Sequence, residues 1–432
     1  MKRILAFGFY GCVALACTKG HAQETTGAVM TLQQCVEKGL SNNLDVLQAG
    51  LQMETGKINW NQARLNMLPD LNGSASNGIN QGRSIDPFTN SYINQQVNYA
   101  NYSVNSGVVL FQGLARQNAV KQNALAYEAS KMDWQQAKDN LTINIILAYL
   151  QVLTNQDLLV LSVNQAELSK KQVERLEILN KDGAIQPSEL SDLRGQYAND
   201  QLGIISTRNA LEQSKLSLAK LMNVPYDKNI QLERLDAASF ATRYENTPDS
   251  IYATALQEFA QVKAVDLRRE SASRGVKVAR GQLFPTLSLN GNASTNYSSV
   301  AMNDIFLGSS EVASTDYVLV NNVKTPVFKK QNEFNSEKIT YGKQVKNNIF
   351  TSFSIGLQIP IFNAWQQRNR VKLAKIDLKN REYIAGTTKT QLQQSIEEAY
   401  INMTTASERY KTLLVQVSAF QAAAICNREA LQ

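Results

Sequence analysis

The chain has 432 residues, 43% hydrophobic and 19% charged, enough for two or three ordinary domains and a sizeable core. Its one histidine, His21, lies in a leader expected to be removed, so Ser-His-Asp chemistry, a His general base and histidine-ligated zinc are excluded from the mature chain. Of four cysteines, Cys12 and Cys17 share that leader, and Cys35 and Cys426 stand far apart with no CxxC spacing, which excludes a cysteine zinc site or a thioredoxin-type motif.

Residues 1–22 read as a secretory signal. Lys2 and Arg3 form a charged start, Ile4–Ala16 is a mostly apolar run of 13 residues, and Gly20-His21-Ala22 gives a small-x-small site with the cut after Ala22. The run is too short for a membrane anchor, which needs ~20 apolar residues. The competing reading is lipidation at Cys17, which follows Ala14-Leu15-Ala16. Cleavage removes Lys2, Arg3 and Lys19 and no acid, leaving 41 bases against 37 acids and a net charge of +4, too weak and dispersed to argue for nucleic acid. No later segment approaches 18 uninterrupted apolar residues, so a closed β-barrel is the remaining way for the chain to span a membrane.

The elements follow in order. A helix is expected over 31–67, then a strand over about 69–80 and a returning strand over about 98–111 in which Tyr102, Val104, Ser106, Val108 and Leu110 share one face. The intervening loop, 80–98, carries Gly82-Arg83-Ser84-Ile85-Asp86-Pro87. From 113 to 181 there is no proline, and Leu141, Ile145, Ala148, Val152, Leu159 and Val163 repeat at helical spacing. A turn at 182–186 leads to a helix over 187–222, where Leu190, Tyr197, Ile204, Leu211 and Leu218 recur every seven residues, the spacing of left-handed coiled-coil packing. Their companions Asp200, Thr207 and Ser214 are polar, so the stripe is narrow and suits a thin-walled tube. At ~1.5 Å per residue the 113–181 helix is ~100 Å long, matched by two helices of ~55 Å stacked end to end.

After a linker over 223–248 the pattern returns. Ala63–Leu71 resembles Ala279–Leu287 at an offset of 216, and Ser103–Val120 aligns without gaps on Ser354–Val371 at an offset of 251, which also carries Ala148-Tyr149 onto Ala399-Tyr400. The two offsets place an insertion of 35 residues between the matched blocks. The first repeat is therefore 23–222 and the second 249–432: a helix over 249–283, strands over about 285–298 and 349–362, a loop over 299–348 and a helix over 363–432. Leu287, Leu289, Gly291, Ala293, Thr295 and Tyr297 alternate with Ser288, Asn290, Asn292, Ser294, Asn296 and Ser298. Phe353, Ile355, Leu357, Ile359 and Ile361 alternate with Ser352, Ser354, Gly356, Gln358 and Pro360. An apolar face backed by a neutral Asn/Ser/Gly face fits a wall between lipid and a watery lumen. A soluble sandwich would also alternate, but here only two hairpins per chain follow a secretion signal. Four strands cannot close, because the smallest barrels have about 8, so spanning requires several copies.

Two ordered repeats, the Leu68-Pro69-Asp70-Leu71 and Phe284-Pro285-Thr286-Leu287 strand entries, the Leu110-Phe111 and Ile361-Phe362 exits, and the turn Asp182–Asp192 together resemble the TolC family of outer-membrane efflux and secretion channels. The resemblance covers about 31–410, and the loop around Gly82–Pro87 is similar to that of Bacteroidetes members. It implies a mainly α fold with a β-barrel part: a duplicated unit of long coiled-coil helices plus a transmembrane β-hairpin, trimerised into a 12-stranded barrel on an α-helical barrel. The implied function is the outer-membrane component of a tripartite efflux or type I secretion system. Its implied partners are further copies of itself, a periplasmic adaptor protein, an inner-membrane pump and outer-membrane lipid, with no cofactor and no metal. By position, Gly183, Ile185, Ser188, Glu189 and Leu190 fall at the adaptor-contacting periplasmic tip, and Glu189 and Asp192 are the candidate entrance acids. One departure is that Lys181 maps onto residue 432, so the second repeat stops before its own tip turn, as a truncated reading frame would. Two other classes compete. A hydrolase could use Glu397 and Glu398, but neighbours on a helix point ~100° apart. A secreted coiled-coil structural protein or adhesin with a β-hairpin head is the stronger alternative.

Overall fold

The computed structural model describes residues 29–85, 90, 92–235 and 246–429. The expected signal peptide, its cut after Ala22, the Cys17 lipidation site and the Asp86-Pro87 pair lie outside the described residues, as does part of the linker. The chain divides into two compact units, one drawn from residues up to 48 with 137–244, the other from 49–136 with 245–432.

The helix expected over 31–67 is two helices. α1 (Leu32–Asn42) starts at a capping box, in which the Thr31 hydroxyl accepts from the Gln34 amide and the Gln34 side chain accepts from the Thr31 amide. α2 (Leu44–Leu65) begins one residue after α1 ends. Asn43 sits between them with extended backbone (φ −67°, ψ 125°), and its Oδ1 accepts from the amides of Asp45 at 2.9 Å and Val46 at 3.3 Å. One residue thus closes α1 and caps α2. Much later in the chain, α5 (Pro248–Glu258) and α6 (Ala260–Gly281) replace the single helix expected over 249–283, and they meet at Phe259 with φ −66° and ψ 126°. Thr31 and Thr247 cap the two pairs, and both pairs are 11 and 22 residues long. Apolar spacing carries across a one-residue joint, which is why periodicity alone reads each pair as continuous.

In the first unit, the 137–181 portion of α3 (Ala115–Lys181) packs with α1 and α4 (Pro187–Met222). α3 begins at 115 rather than 113 because Gly113 and Leu114 are left-handed. Leu141, Ile145, Tyr149, Val152, Leu211, Leu218 and Met222 are buried there with Cys35. Burial pushes the Cys35 thiol up to about 11, so it stays protonated and inert. The polar positions of the α4 stripe are satisfied locally. The Thr207 and Ser214 hydroxyls donate to carbonyls of their own helix, and Ser169 donates to Asp200. Tyr149 is fully buried with its hydroxyl between the Glu233 and Met30 carbonyls, at 2.6 and 3.2 Å, donating to the nearer. Met30 and Leu232 form a parallel bridge beside it. α3 also contains an 18-residue window of mean hydropathy 1.4, apolar enough by composition to cross a membrane.

The second unit carries a four-stranded antiparallel sheet of β1 (Asn72–Asn80), β4 (Val97–Gln112), β5 (Thr286–Ser298) and β8 (Phe350–Gln358), in the order β1-β4-β5-β8. The strand expected over 69–80 starts after Pro69, at 72, and the one expected over 349–362 stops at 358, before Pro360, which has no amide to pair. The segments read as loops contain strands. β2 (Arg83–Ile85) pairs with β3 (Tyr92–Asn94), and β6 (Met302–Val320) pairs with β7 (Val323–Lys338) around a two-residue turn, Asn321-Asn322, both left-handed at φ 53° and 65°. The short α7 (Tyr341–Asn347) precedes β8, and α8 (Gln366–Glu429) lies against α6.

Candidate functional site

No residue of β1, β4, β5 or β8 is charged. Each stretch alternates, so the pairing decides whether the faces agree across strands. They do. Val104 opposes Ala293 and Gly73, and Leu289 opposes Val108 and Ile355. On the reverse face Asn105 opposes Asn292 and Asn72, and Ser103 opposes Ser294 and Ser74. Side-chain bonds knit that polar face, Asn292 to Asn105 at 2.6 Å and Ser74 with Ser103 at 2.7 Å. The apolar face is open, with Val104, Leu289, Phe353, Ile355 and Leu357 all exposed and Phe353 the extreme at 84%.

One end of the apolar face is covered by α7. Thr295 donates to the Val345 carbonyl at 2.7 Å, and the Tyr297 and Tyr341 rings sit 4.6 Å apart between centroids. The Tyr102 and Tyr341 hydroxyls meet at 2.5 Å. The fully buried Gln344 side chain holds the helix down, donating to the Ser298 and Ile339 carbonyls and accepting from the Ser298 amide, each at 2.9 Å. At the other end Asp70 accepts from the Gly107 amide at 2.7 Å and from Asn72 at 2.8 Å, tying the strand entry to β4. Gly113 turns β4 into α3 at φ +56°, so close to the Gly281 carbonyl that a Cβ would lie 2.5 Å from it. Among the described residues, the outer edges β1 and β8 have no strand beyond them.

The α3–α4 turn belongs to the other unit. Gly183 (φ +72°) donates to the Asn180 carbonyl and Ala184 to that of Leu179, a Schellman ending for α3. Pro187 opens α4 in its first turn, where no amide is needed, and Glu189 lies where the helix dipole favours an acid. Gly183, Ser188, Glu189 and Asp192 are exposed, Ile185 is half-buried and Leu190 is 7% exposed. Arg194 binds Glu177 at 2.6 Å across the hairpin. Glu397 and Glu398 lie exposed on α8, with Gln393 donating to Glu397. Periodicity and motifs assign no role to Asn43, Tyr149 or Asp70 and do not mark α7. The Asn-Leu-Asp start of α2 was the available signal for the first, a capping residue two positions before an acid.

Paired β-hairpins with one apolar and one neutral face, joined to long helices, are the features of a TolC-type outer-membrane efflux channel. The outer membrane efflux protein family matches residues 23–224 and 251–431, and the chain belongs to that family. An uncharacterised Haemophilus influenzae protein is 23% identical over 335 residues, which are 74% of this chain and 70% of that protein. The pyoverdine export outer membrane protein OpmQ of Pseudomonas putida is 25% identical over 231 residues, 53% of this chain and 46% of OpmQ. In fold the chain is similar to the outer-membrane channel OprN, with a TM-score of 0.70 at 18% identity over 91% of this chain and 78% of that one. Family and fold are those of channel proteins rather than enzymes.

Proposed function

We propose that the protein is the passive exit duct of a tripartite efflux or type I secretion system, crossing the outer membrane and reaching into the periplasm. The observation that carries this is the uncharged four-stranded sheet with an exposed apolar face and two edges that no other described strand pairs. In hydrocarbon an unpaired strand edge leaves amides and carbonyls without partners, each at several kcal/mol, so the edges must meet other strands. Two copies would give a barrel of about 8 strands, whose interior side chains fill. Three give 12 strands and leave a lumen, lined here by Asn and Ser side chains. The Tyr102, Tyr297 and Tyr341 cluster sits where an aromatic belt meets headgroups.

The tip turn is the surface for a periplasmic adaptor, and through it an inner-membrane pump. Gly183, Ser188 and Glu189 are offered outward with Ile185 partly covered, while the buried Leu190 supports the turn from within. Glu189 and Asp192 place negative charge at the entrance. The exposed apolar residues along α3 and α8, among them Ile143, Leu147, Leu161, Leu373, Ile376 and Leu414, are faces for neighbouring helices in the assembled tube. The chain should fractionate with outer membranes, extract in detergent as a trimer and conduct ions in planar bilayers. Release by salt or urea as a non-conducting species would support the adhesin reading instead.

A further inference from the structure

The internal repeat preserves strand register, and the two outer strands, β8 and β1, are its unmatched ends. We propose that β8 of one copy pairs with β1 of the next in one register, with Phe353 opposite Ile79, Ser352 opposite Asn80 and Gln358 opposite Ser74. This rests on the oligomeric duct proposed above.

The rule comes from the internal repeat. Strands leaving α2 and α6 are related by 216 residues and strands returning to α3 and α8 by 251. Within the first copy Asn72 pairs with Asn105 and Gly78 with Tyr99. Adding the offsets gives Ser288 with Gly356 and Ser294 with Phe350, and both are observed pairs of β5 and β8. The transformation therefore preserves hydrogen-bond register, not merely topology. The remaining junction in the chain joins the returning strand of copy one, β4, to the outgoing strand of copy two, β5. Its counterpart joins β8 to the β1 of another molecule. Carrying Tyr102↔Thr295, Asn101↔Asn296 and Gly107↔Asn290 across gives Phe353↔Ile79, Ser352↔Asn80 and Gln358↔Ser74.

Two features of the chain agree with this register without having been used to derive it. The apolar Phe353 and Ile79, 84% and 64% exposed, fall opposite one another on the apolar face, and Ser352 meets Asn80 on the polar face. A slip of one residue would set Phe353 against Gly78 or Asn80 and put the faces out of phase. β4 also has a bulge between Val109 and Phe111, leaving Leu110 unpaired. Its image is Ile361, between Pro360 and Phe362, so Pro360 takes the place of Val109, the last paired residue before the interruption. Beyond the bulge, Phe362 meets Leu71 of the neighbour, side chains 77% and 74% exposed in the single chain.

Cysteine pairs in the full-length protein in outer membranes test the register. Asn80→Cys with Ser352→Cys should cross-link chain to chain on mild oxidation roughly tenfold faster than Asn80→Cys with Ser354→Cys or with Phe350→Cys, because only the directly opposed pair lies within disulfide reach. A second opposed pair, Ser74→Cys with Gln358→Cys, covers loss of the first through misfolding. Faster cross-linking in either displaced pair, with the trimer intact in detergent, overturns the register and leaves the duct standing. An unsubstituted protein that extracts as a monomer overturns the duct itself.

Discussion

The two strand-to-helix turns do the same work with different residues. Gly113-Leu114 and Ala364-Trp365 occupy equivalent positions, and all four are left-handed, at φ 56°, 61°, 49° and 61°. At the first turn the Gly281 carbonyl and the Phe284 ring crowd Gly113, so a side chain has no room. At the second, Trp365 is exposed and stacks under Arg368 at 4.2 Å. The first turn sits against the β4–β5 junction inside the sheet, and the second follows β8, an outer strand of the sheet. Their shared backbone shows that topology dictates the conformation. Their residues show that packing, not the turn, dictates glycine. In the proposed assembly the partners of Ala364 are Leu65 and Leu68, the images of Gly281 and Phe284, so the seam between copies should be looser at the helix ends than the joint within the chain.

That contrast can be broken most severely at Gly113. Gly113→Ala should destabilise by ~3 kcal/mol or more, since its Cβ must displace a backbone carbonyl, lowering the thermal unfolding midpoint by several degrees. The helix joints give the next largest effect. Asn43→Ala should cost about 1–2 kcal/mol by removing a cap and its 3.0 Å bond to the Leu221 carbonyl, whereas Phe259→Ala, at a joint with no side-chain cap, should cost less. Tyr149→Phe should cost about 1 kcal/mol at neutral pH, because the Glu233 carbonyl loses its donor at 2.6 Å. Burial pushes the Tyr149 hydroxyl up to about 12, above its unfolded value. Its contribution is therefore fully present below about pH 10 and lost as pH rises through about 12, so unfolding midpoints of the wild type and Tyr149→Phe should converge there. Ala364→Gly is the smallest, a gain of about 1 kcal/mol from relieving a left-handed residue at a site with no glycine requirement.

Much of this was legible in the sequence. Period-two stretches set the sheet faces, large apolar residues at period seven set α4, and two offsets set the duplication. What escaped had no periodic signal. Asn43 and Phe259 break helices without disturbing the apolar stripe. β6 and β7 are almost wholly exposed, so they lack the one-sided burial that betrays a strand, and only the Asn321-Asn322 turn marked them. Tyr149 gains its role from carbonyls of Met30 and Glu233, far away in the chain. The α3–α4 turn was readable from Gly183 and Pro187 because a Schellman ending and a first-turn proline are local.

The central claim is that one face of the sheet meets lipid and the other water. Spin labels placed one at a time from 352 to 357 in membrane-reconstituted protein test it most directly. Labels at Phe353, Ile355 and Leu357 should be reached by oxygen dissolved in the bilayer, and those at Ser352, Ser354 and Gly356 by a water-soluble nickel chelate, alternating residue by residue. Uniform access to the chelate, or protection from both probes at every position, would contradict it.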